Sequence, residues 1–346
     1  MVRTYSFVGT KTYTCRANHQ KVNSVGYLII SLDFELHWGR YDKYPLNDVG
    51  NYYKNTRKAI PRMLALFQKY QIHATWATVG SLMAENDEEW KLYQPKVLPG
   101  FANPLYSAYH WYAQQKEHDP SALFAPELVK QIMECPDQEI GSHTFAHYYT
   151  GEKGANQAAF KSDLEAAKSI AFEKFKVDLK SLVFPRNQYN PNSLNTANHL
   201  GFKVFRTNPP DWFWSSPERA NIFKKIFRTG DTLVPLGRKS YYDLDIKFKR
   251  DFLQLPASRL LRPFKPYSIF NQLRVNRVKD EMKEAAKEDM AYHLWWHPHN
   301  FGQHLEENLR VLEDILDCYR KLALDHDMKS LTMWEAFEKK IQPQKG

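Results

Sequence analysis

A chain of 346 residues suits one large α/β barrel or two average domains, and 43% hydrophobic with 25% charged residues excludes a disordered chain. Three scattered cysteines, Cys15, Cys135 and Cys318, exclude a disulfide framework and a CxxC zinc cluster. With no apolar leader before Gly26 and no run of eighteen apolar residues, they set the expectation of a cytoplasmic protein without a membrane span. The net charge of +9 calls for an anionic partner without naming one.

Residues 1–25 read as an N-terminal arm and 26–340 as one domain. Residues 27–34 (YLIISLDF) are an apolar run ending in polar residues, the pattern of a buried parallel strand whose C-terminal end opens onto a site. Residues 55–70 then read as a helix, with Ile60, Met63, Leu64 and Phe67 at helical spacing and Pro61 as a blemish. Strands are predicted over 73–79, 138–140, 181–184, 203–205 and 292–296, and helices over 126–135, 155–174 and 305–324. Repeated βα units predict one parallel sheet, most economically closed as a barrel. Residues 85–121 and 221–273 read as irregular insertions.

The positive surplus is concentrated. Residues 221–290 hold 16 Lys and Arg against 9 Asp and Glu, interleaved with aromatic residues. A solvated helical face competes here with a basic surface for phosphate or anionic lipid, and Lys247, Lys249 and Arg250 stand for the second reading. No zinc finger, RRM or helix-turn-helix signature accompanies the charge, so nucleic acid is not the expected partner.

Alternate residues of a strand share a face, so Asp33 and Glu35 in SLDFELHW point the same way at the strand's end, with His37 beside them if the strand continues. Two carboxylates so close repel unless a cation or a shared proton intervenes. In GSHTFAH, four-residue spacing brings His143 and His147 to one side of a helical turn. Two imidazoles and one carboxylate leave an open position at a metal, which is the catalytic rather than the structural arrangement for zinc.

Five motifs, taken in order, resemble the polysaccharide deacetylase (NodB-like, carbohydrate esterase) family. They are SLDFE at 31–35, HTFAH at 143–147, FPRNQY at 184–189, DW at Asp211 and Trp212, and LWWHPHN at 294–300. The resemblance implies a distorted, incomplete (β/α) barrel of about seven parallel strands and a metal-dependent hydrolase that removes an N-acetyl or other small N-acyl group from an amino sugar. It implies one divalent metal, zinc by default, on His143, His147 and Glu35, with Asp33 as general base and His297 as general acid. Arg186 would orient the base, supported by Asp211 and Trp212, and Tyr189, Trp212, Trp296 and His299 would meet substrate. His293 and His299 are local rivals of His297. Two departures stand out: Phe34 separates the two acids, where the family commonly has adjacent aspartates, and the Arg-Pro order is inverted.

The expected substrate is an N-acylated sugar, nucleotide- or lipid-pyrophosphate-linked, in cell-surface polysaccharide or lipopolysaccharide assembly, with peripheral contact to an anionic membrane surface. Deformylation, cyclic-amide hydrolysis and a non-catalytic sugar-binding role are the alternatives on the same scaffold.

Overall fold

The computed structural model describes residues 25–46, 51–115, 119–214, 222–234, 236–237, 239–244, 248–249 and 251–341. In chain order they form β1 (Tyr27–Phe34), α1 (Tyr52–Tyr70), β2 (Ala74–Thr78), α2 (Asp87–Tyr93), α3 (Ala108–Ala113), α4 (Pro126–Glu134), β3 (Gln138–Ser142), α5 (Gln157–Phe175), β4 (Ser181–Val183), α6 (Pro191–His199) and β5 (Val204–Thr207). There follow α7 (Ile222–Gly230), β6 (Phe248–Lys249), β7 (Phe252–Pro256), β8 (Arg259–Leu260), α8 (Phe270–Lys287), β9 (Ala291–Trp296), α9 (Leu305–His326), β10 (Lys329–Leu331) and α10 (Met333–Ile341).

The sheet runs β6-β7-β5-β4-β3-β2-β1-β9-β8, with β10 on the lower half of β1. All neighbours are parallel except β6 and β7. Residues 252–260 face both open edges: β7 pairs with β5, and three residues later β8 pairs with β9. Between them Ala257 N donates to Thr207 O and Ser258 N to His293 O, both at 2.8 Å. The circle of about seven parallel positions therefore closes through one broken strand, and the barrel is distorted and incomplete. This overturns the reading of 221–273 as irregular, because the closing strand lies inside it. Its alternation is too short and too interrupted by Pro256 and Ser258 to register as a strand. Residues 85–121 likewise carry α2 and α3, two helices too short to give a periodic signal.

Period-two alternation sorts β1 into two faces. Leu28, Ile30, Leu32 and Phe34 join the larger apolar cluster under the helices. Ile29 points inward and joins Ala77, Val183, Val204, Leu253, Leu255 and Ala291, closed from below by Met333, Ala336 and Phe337 of α10. The N-terminal end of the barrel is thus a dry plug, and Ser31 and Asp33, higher on the same inward face, begin the polar end. In α1 the predicted face is buried at Ile60, Met63, Leu64 and Phe67, and Pro61 lies on the exposed side within the helix.

A buried ion network ties the broken strand to α8. Arg259 donates to Glu281 at 2.7 and 2.8 Å and to Asp231, and Ser240 also donates to Glu281 at 2.7 Å. Burial opposes the guanidinium charge, but the two carboxylates overturn this and raise its pKa. Arg259→Met should lower the unfolding free energy by about 3–5 kcal/mol in urea titrations, because Asp231 loses its buried counter-charge and Glu281 keeps only Arg277.

Candidate active site

Asp33 is the last inward residue of β1, and Glu35 sits just past the strand at the head of the turn Leu36–Gly39. Leu36 takes φ 43°, so the chain turns there and His37 leaves the expected face. His37 is instead buried against Trp111, with Nδ1 3.1 Å from the Tyr53 hydroxyl and its pKa pushed down to about 4 by burial and Arg40.

His143 and His147 follow β3 on a tight turn, not on the predicted helix. Thr144 (φ 66°) and His147 (φ 55°) are left-handed, a costly backbone for a β-branched residue. Asp163 of α5 holds the turn by accepting Phe145 N at 2.6 Å and Ala146 N at 3.3 Å, with Tyr109 donating to the same carboxylate. Tyr148 N donates to Thr144 Oγ1 at 2.8 Å. Burial pushes the Asp163 carboxyl up to about 6 despite these donors.

The turn aims both imidazoles at Glu35, whose Oε2 lies 3.2 Å from His143 Nε2 and 3.1 Å from His147 Nε2. Their tautomers follow from the other ring nitrogens. His143 Nδ1 is 2.8 Å from Val183 O, which can only accept, so Nδ1 carries the proton. His147 Nδ1 is 3.3 Å from the Tyr149 hydroxyl, which donates its own proton toward Asp42 at 3.4 Å. Both Nε2 lone pairs therefore face a carboxylate oxygen that no donor reaches. Burial lowers the His147 pKa, which favours the neutral ring and keeps its Nε2 lone pair free. Three buried acceptors pointing at one another are stabilised by a cation at their centre. These residues fit a divalent ion: their ligand atoms lie within 4.8 Å of one another, and a His₂-carboxylate set leaves coordination positions open.

Asp33 belongs to a different partner. Arg206 of β5 crosses the barrel and grips it with two bonds, Nη1 to Oδ1 at 2.6 Å and Nη2 to Oδ2 at 2.8 Å. It also reaches Ser31 Oγ at 3.1 Å and Asn187 Oδ1 at 3.0 Å, while the Trp295 ring lies 4.1 Å from its guanidinium. Burial would raise the Asp33 pKa, but Arg206 and the nearby imidazoles lower it. Arg186 was expected in this position. It instead pairs with Asp42, approaches Glu152 at 3.4 Å and lies 3.9 Å over the Tyr149 ring, behind His147. The inverted Pro-Arg order puts Arg186 on a left-handed residue (φ 54°) that turns it away from Asp33. A lone arginine in the apolar strand VFRT was the available signal for Arg206, because a buried charge in a strand requires a partner.

His297 and His299 both arrive at Glu35. His297 Nε2 is 3.7 Å from Asp33 Oδ2 and from Glu35 Oε1, on the solvent-facing rim, and His299 Nδ1 is 3.6 Å from Glu35 Oε1 but buried. Burial pushes His299 down to about 3. His293 is also pushed down to about 3 by burial, deep in the barrel with Nε2 2.8 Å from Ser31 Oγ.

The remaining expected contacts lie elsewhere. Trp296 has outward parity on β9 and packs into the core against Phe67 and Phe301, so it offers no sugar face; its inward neighbour Trp295 flanks the site. The Tyr189 hydroxyl accepts Asn208 N at 3.1 Å, and its ring rests on Phe184. Trp212 is more than half exposed and packs on Phe213 and Phe227, while Asp211 abuts Gly237. Lys247 and Arg250 lie outside the described residues, as do residues 1–24 of the N-terminal arm, and only the backbone of Lys249 is described.

Two outcomes are expected. The wild-type chain should take up one equivalent of zinc by calorimetry, with uptake falling in acid as the imidazoles protonate, and His143→Ala/His147→Ala should take up none under the same conditions. The second concerns Asp163, whose folded pKa lies above its unfolded value, so its stability contribution is complete below about pH 4 and is lost as pH rises through 6. In chelated protein, the stability of wild type relative to Asp163→Asn should fall by about 3 kcal/mol between pH 4 and pH 7 in urea unfolding.

Comparison with known proteins bears on the fold and the family. Residues 42–205 match the family described as polysaccharide deacetylase, a span that includes His143, His147 and Arg186 and stops short of Asp33, Glu35 and His297. No curated protein matches the sequence. Among solved structures, a putative polysaccharide deacetylase from Mycobacterium smegmatis is 14% identical, with TM-score 0.59 over 93% of this chain and 94% of that one. A probable polysaccharide deacetylase from Pseudomonas aeruginosa PAO1 is 12% identical, with TM-score 0.52 over 91% and 89%. The Puue allantoinase is 11% identical, with TM-score 0.53 over 90% and 88%. At these identities the structures speak for the fold, a distorted parallel barrel of the NodB type, and the polysaccharide deacetylase family is matched over residues 42–205.

Proposed function

We propose that this protein is a metal-dependent amide hydrolase that removes an N-acetyl or other small N-acyl group from an amino sugar. The observation that carries the reading is the meeting, at one end of the barrel, of a His₂-carboxylate set with a second carboxylate that an arginine holds separately. Glu35, His143 and His147 would hold the ion, which we take to be zinc. Its chemistry when bound is Lewis acidity, at the acyl carbonyl and at water.

The residues divide the remaining work. Asp33, kept anionic by Arg206, is the proton acceptor for the attacking water, and the two-bond grip fixes where its free lone pairs point. An amine is a poor leaving group unless protonated, so an acid must face the scissile nitrogen. His297 suits that task, since it sits at the rim within 3.7 Å of both carboxylates. His293 and His299 do not, because burial keeps both neutral at physiological pH. Arg186, Asp42 and Tyr149 form a shell behind His147 that orients its ring, a positioning role of the kind that tunes metal ligands.

The substrate in this proposal is a precursor of cell-surface polysaccharide or lipopolysaccharide, met in the cytoplasm or at the inner membrane face. That part rests on cysteine usage and surplus positive charge. No helix among the described residues is long and apolar enough to cross a membrane.

Acetate or formate release from a panel of N-acylated amino sugars, read by mass spectrometry, tests the reaction and identifies the acyl group. Asp33→Asn should keep one equivalent of metal and lose turnover about 10²- to 10⁴-fold. Glu35→Gln should lose both metal and turnover. Metal loss from Asp33→Asn with retention in Glu35→Gln would reverse the two roles, and no product from any N-acyl sugar would remove the deacylase reading.

A further inference from the structure

We propose that Arg262 and Arg274 form an anion subsite beside the candidate catalytic centre, one that takes the phosphate of a phosphorylated N-acyl amino sugar. The sugar half of this statement rests on the deacylase reading above; the anion half does not.

The broken closing strand sets the position. Leu261 N donates to Trp295 O at 2.8 Å, so Arg262 emerges beside the end of β9, at the same rim as His297. A narrow cleft there is bounded by Arg262 on one side and by Arg274 and Arg277 of α8 on the other. Four guanidiniums gather about it, and their partners are unevenly shared. Arg259 is matched by Asp231 and Glu281, and Arg277 by Glu281 at 2.7 Å. Arg262 and Arg274 have no hydrogen-bond or ion-pair partner among the described residues. Nε of both, and Nη1 of Arg274, are shielded from water with no acceptor in reach.

A guanidinium does not shed its proton to relieve such a setting, so an unmatched pair persists only at the cost of desolvation and mutual repulsion. Burial and Arg274 together lower the Arg262 pKa, which is the sign of that repulsion. A tetrahedral oxyanion removes it, because its oxygens accept from both planar forks at once.

The cleft also leads to the chemistry. A second cleft shares Thr232, Arg259, Leu260 and Arg262 with the first and continues to Asn187 and Trp295. Asn187 accepts from Arg206, and the Trp295 ring lies 4.1 Å from the Arg206 guanidinium and 5.5 Å from the His297 ring. A ligand with its sugar beside Trp295 thus has its phosphate directed toward Arg262.

Calorimetry on the zinc-loaded full chain tests this with N-acetylglucosamine 1-phosphate, N-acetylglucosamine and inorganic phosphate. The phosphorylated sugar should bind at least about tenfold more tightly than the neutral one, the value of one charge-assisted hydrogen bond, and inorganic phosphate should compete with it. Arg262→Gln/Arg274→Gln should abolish that preference and leave the neutral sugar's Kd unchanged. The milder Arg274→Gln should reduce the preference if the double variant does not fold. Arg310→Gln, on exposed α9, should keep it in full. Equal binding of the two sugars by wild type, or a preference that survives the double exchange because the metal captures the phosphate, would overturn the subsite. Loss of the preference in Arg310→Gln would do the same by reducing it to bulk charge. Binding is read without turnover, so a chain that prefers the phosphorylated sugar but releases no acid loses the hydrolase reading and keeps the subsite. One that deacylates both sugars equally keeps the hydrolase and loses the subsite.

Discussion

Two carboxylates buried within two residues of each other at the end of β1 must each be given a positive partner, and the rest of the site is arranged around how that is done. Burial of an unmatched carboxylate costs several kcal/mol, and two together cost more. The barrel separates them. Asp33 receives a permanent guanidinium from the opposite wall, while Glu35 receives two neutral imidazoles whose lone pairs leave the charge to be balanced by a cation. One acid is thereby fixed in its ionised form whatever occupies the other, a division that catalysis by a metal and a general base requires.

Such a division needs a container with one dry end and one polar end. Inward positions near the N-terminal ends of the strands are filled by Ile29, Val204, Leu253 and Ala291 and sealed by α10. The inward positions that follow are Ser31, Asp33 and Arg206. A single alternation along each strand therefore passes from plug to site in two or three residues, and the low dielectric below strengthens the Asp33–Arg206 pair above it. Parallel strands bring all their C-terminal ends to the same rim, so residues from β1, β3, β5 and β9 meet without any loop having to travel.

Precision at the candidate metal site is maintained by a strained turn and its support. Thr144 and His147 occupy left-handed backbone that costs of order 1–3 kcal/mol each, and such strain persists only where surroundings over-determine it. Asp163, itself costly to bury, supplies that over-determination through the Phe145 and Ala146 amides. On the opposite side, the broken β7–β8 segment closes the barrel and is anchored by the ionic contact between Arg259 and α8. The same discontinuity brings Arg262 to the rim beside the end of β9.

The sequence by itself determined what depends on local period and residue type. The strand over 27–34, the face shared by Asp33 and Glu35, the helical stripe of Ile60, Met63, Leu64 and Phe67, and the order of five motifs were all legible, because each is a pattern within a few neighbouring residues. Where sequence reasoning failed, a long-range contact decided the outcome. HTFAH has the spacing of a helix, yet the Asp163 bonds from another element hold it as a left-handed turn. Arg206, alone in the apolar strand VFRT, carried a local sign of a buried partner, but only strand register across the barrel gave Asp33 to it rather than to Arg186. Trp295 and Trp296 are adjacent in the chain, and only the direction in which β9 presents its faces separated the site residue from the core residue. Closure of the barrel through residues 252–260 left almost no local trace, since its two halves pair with strands far away in sequence and neither is long enough to show a period of its own.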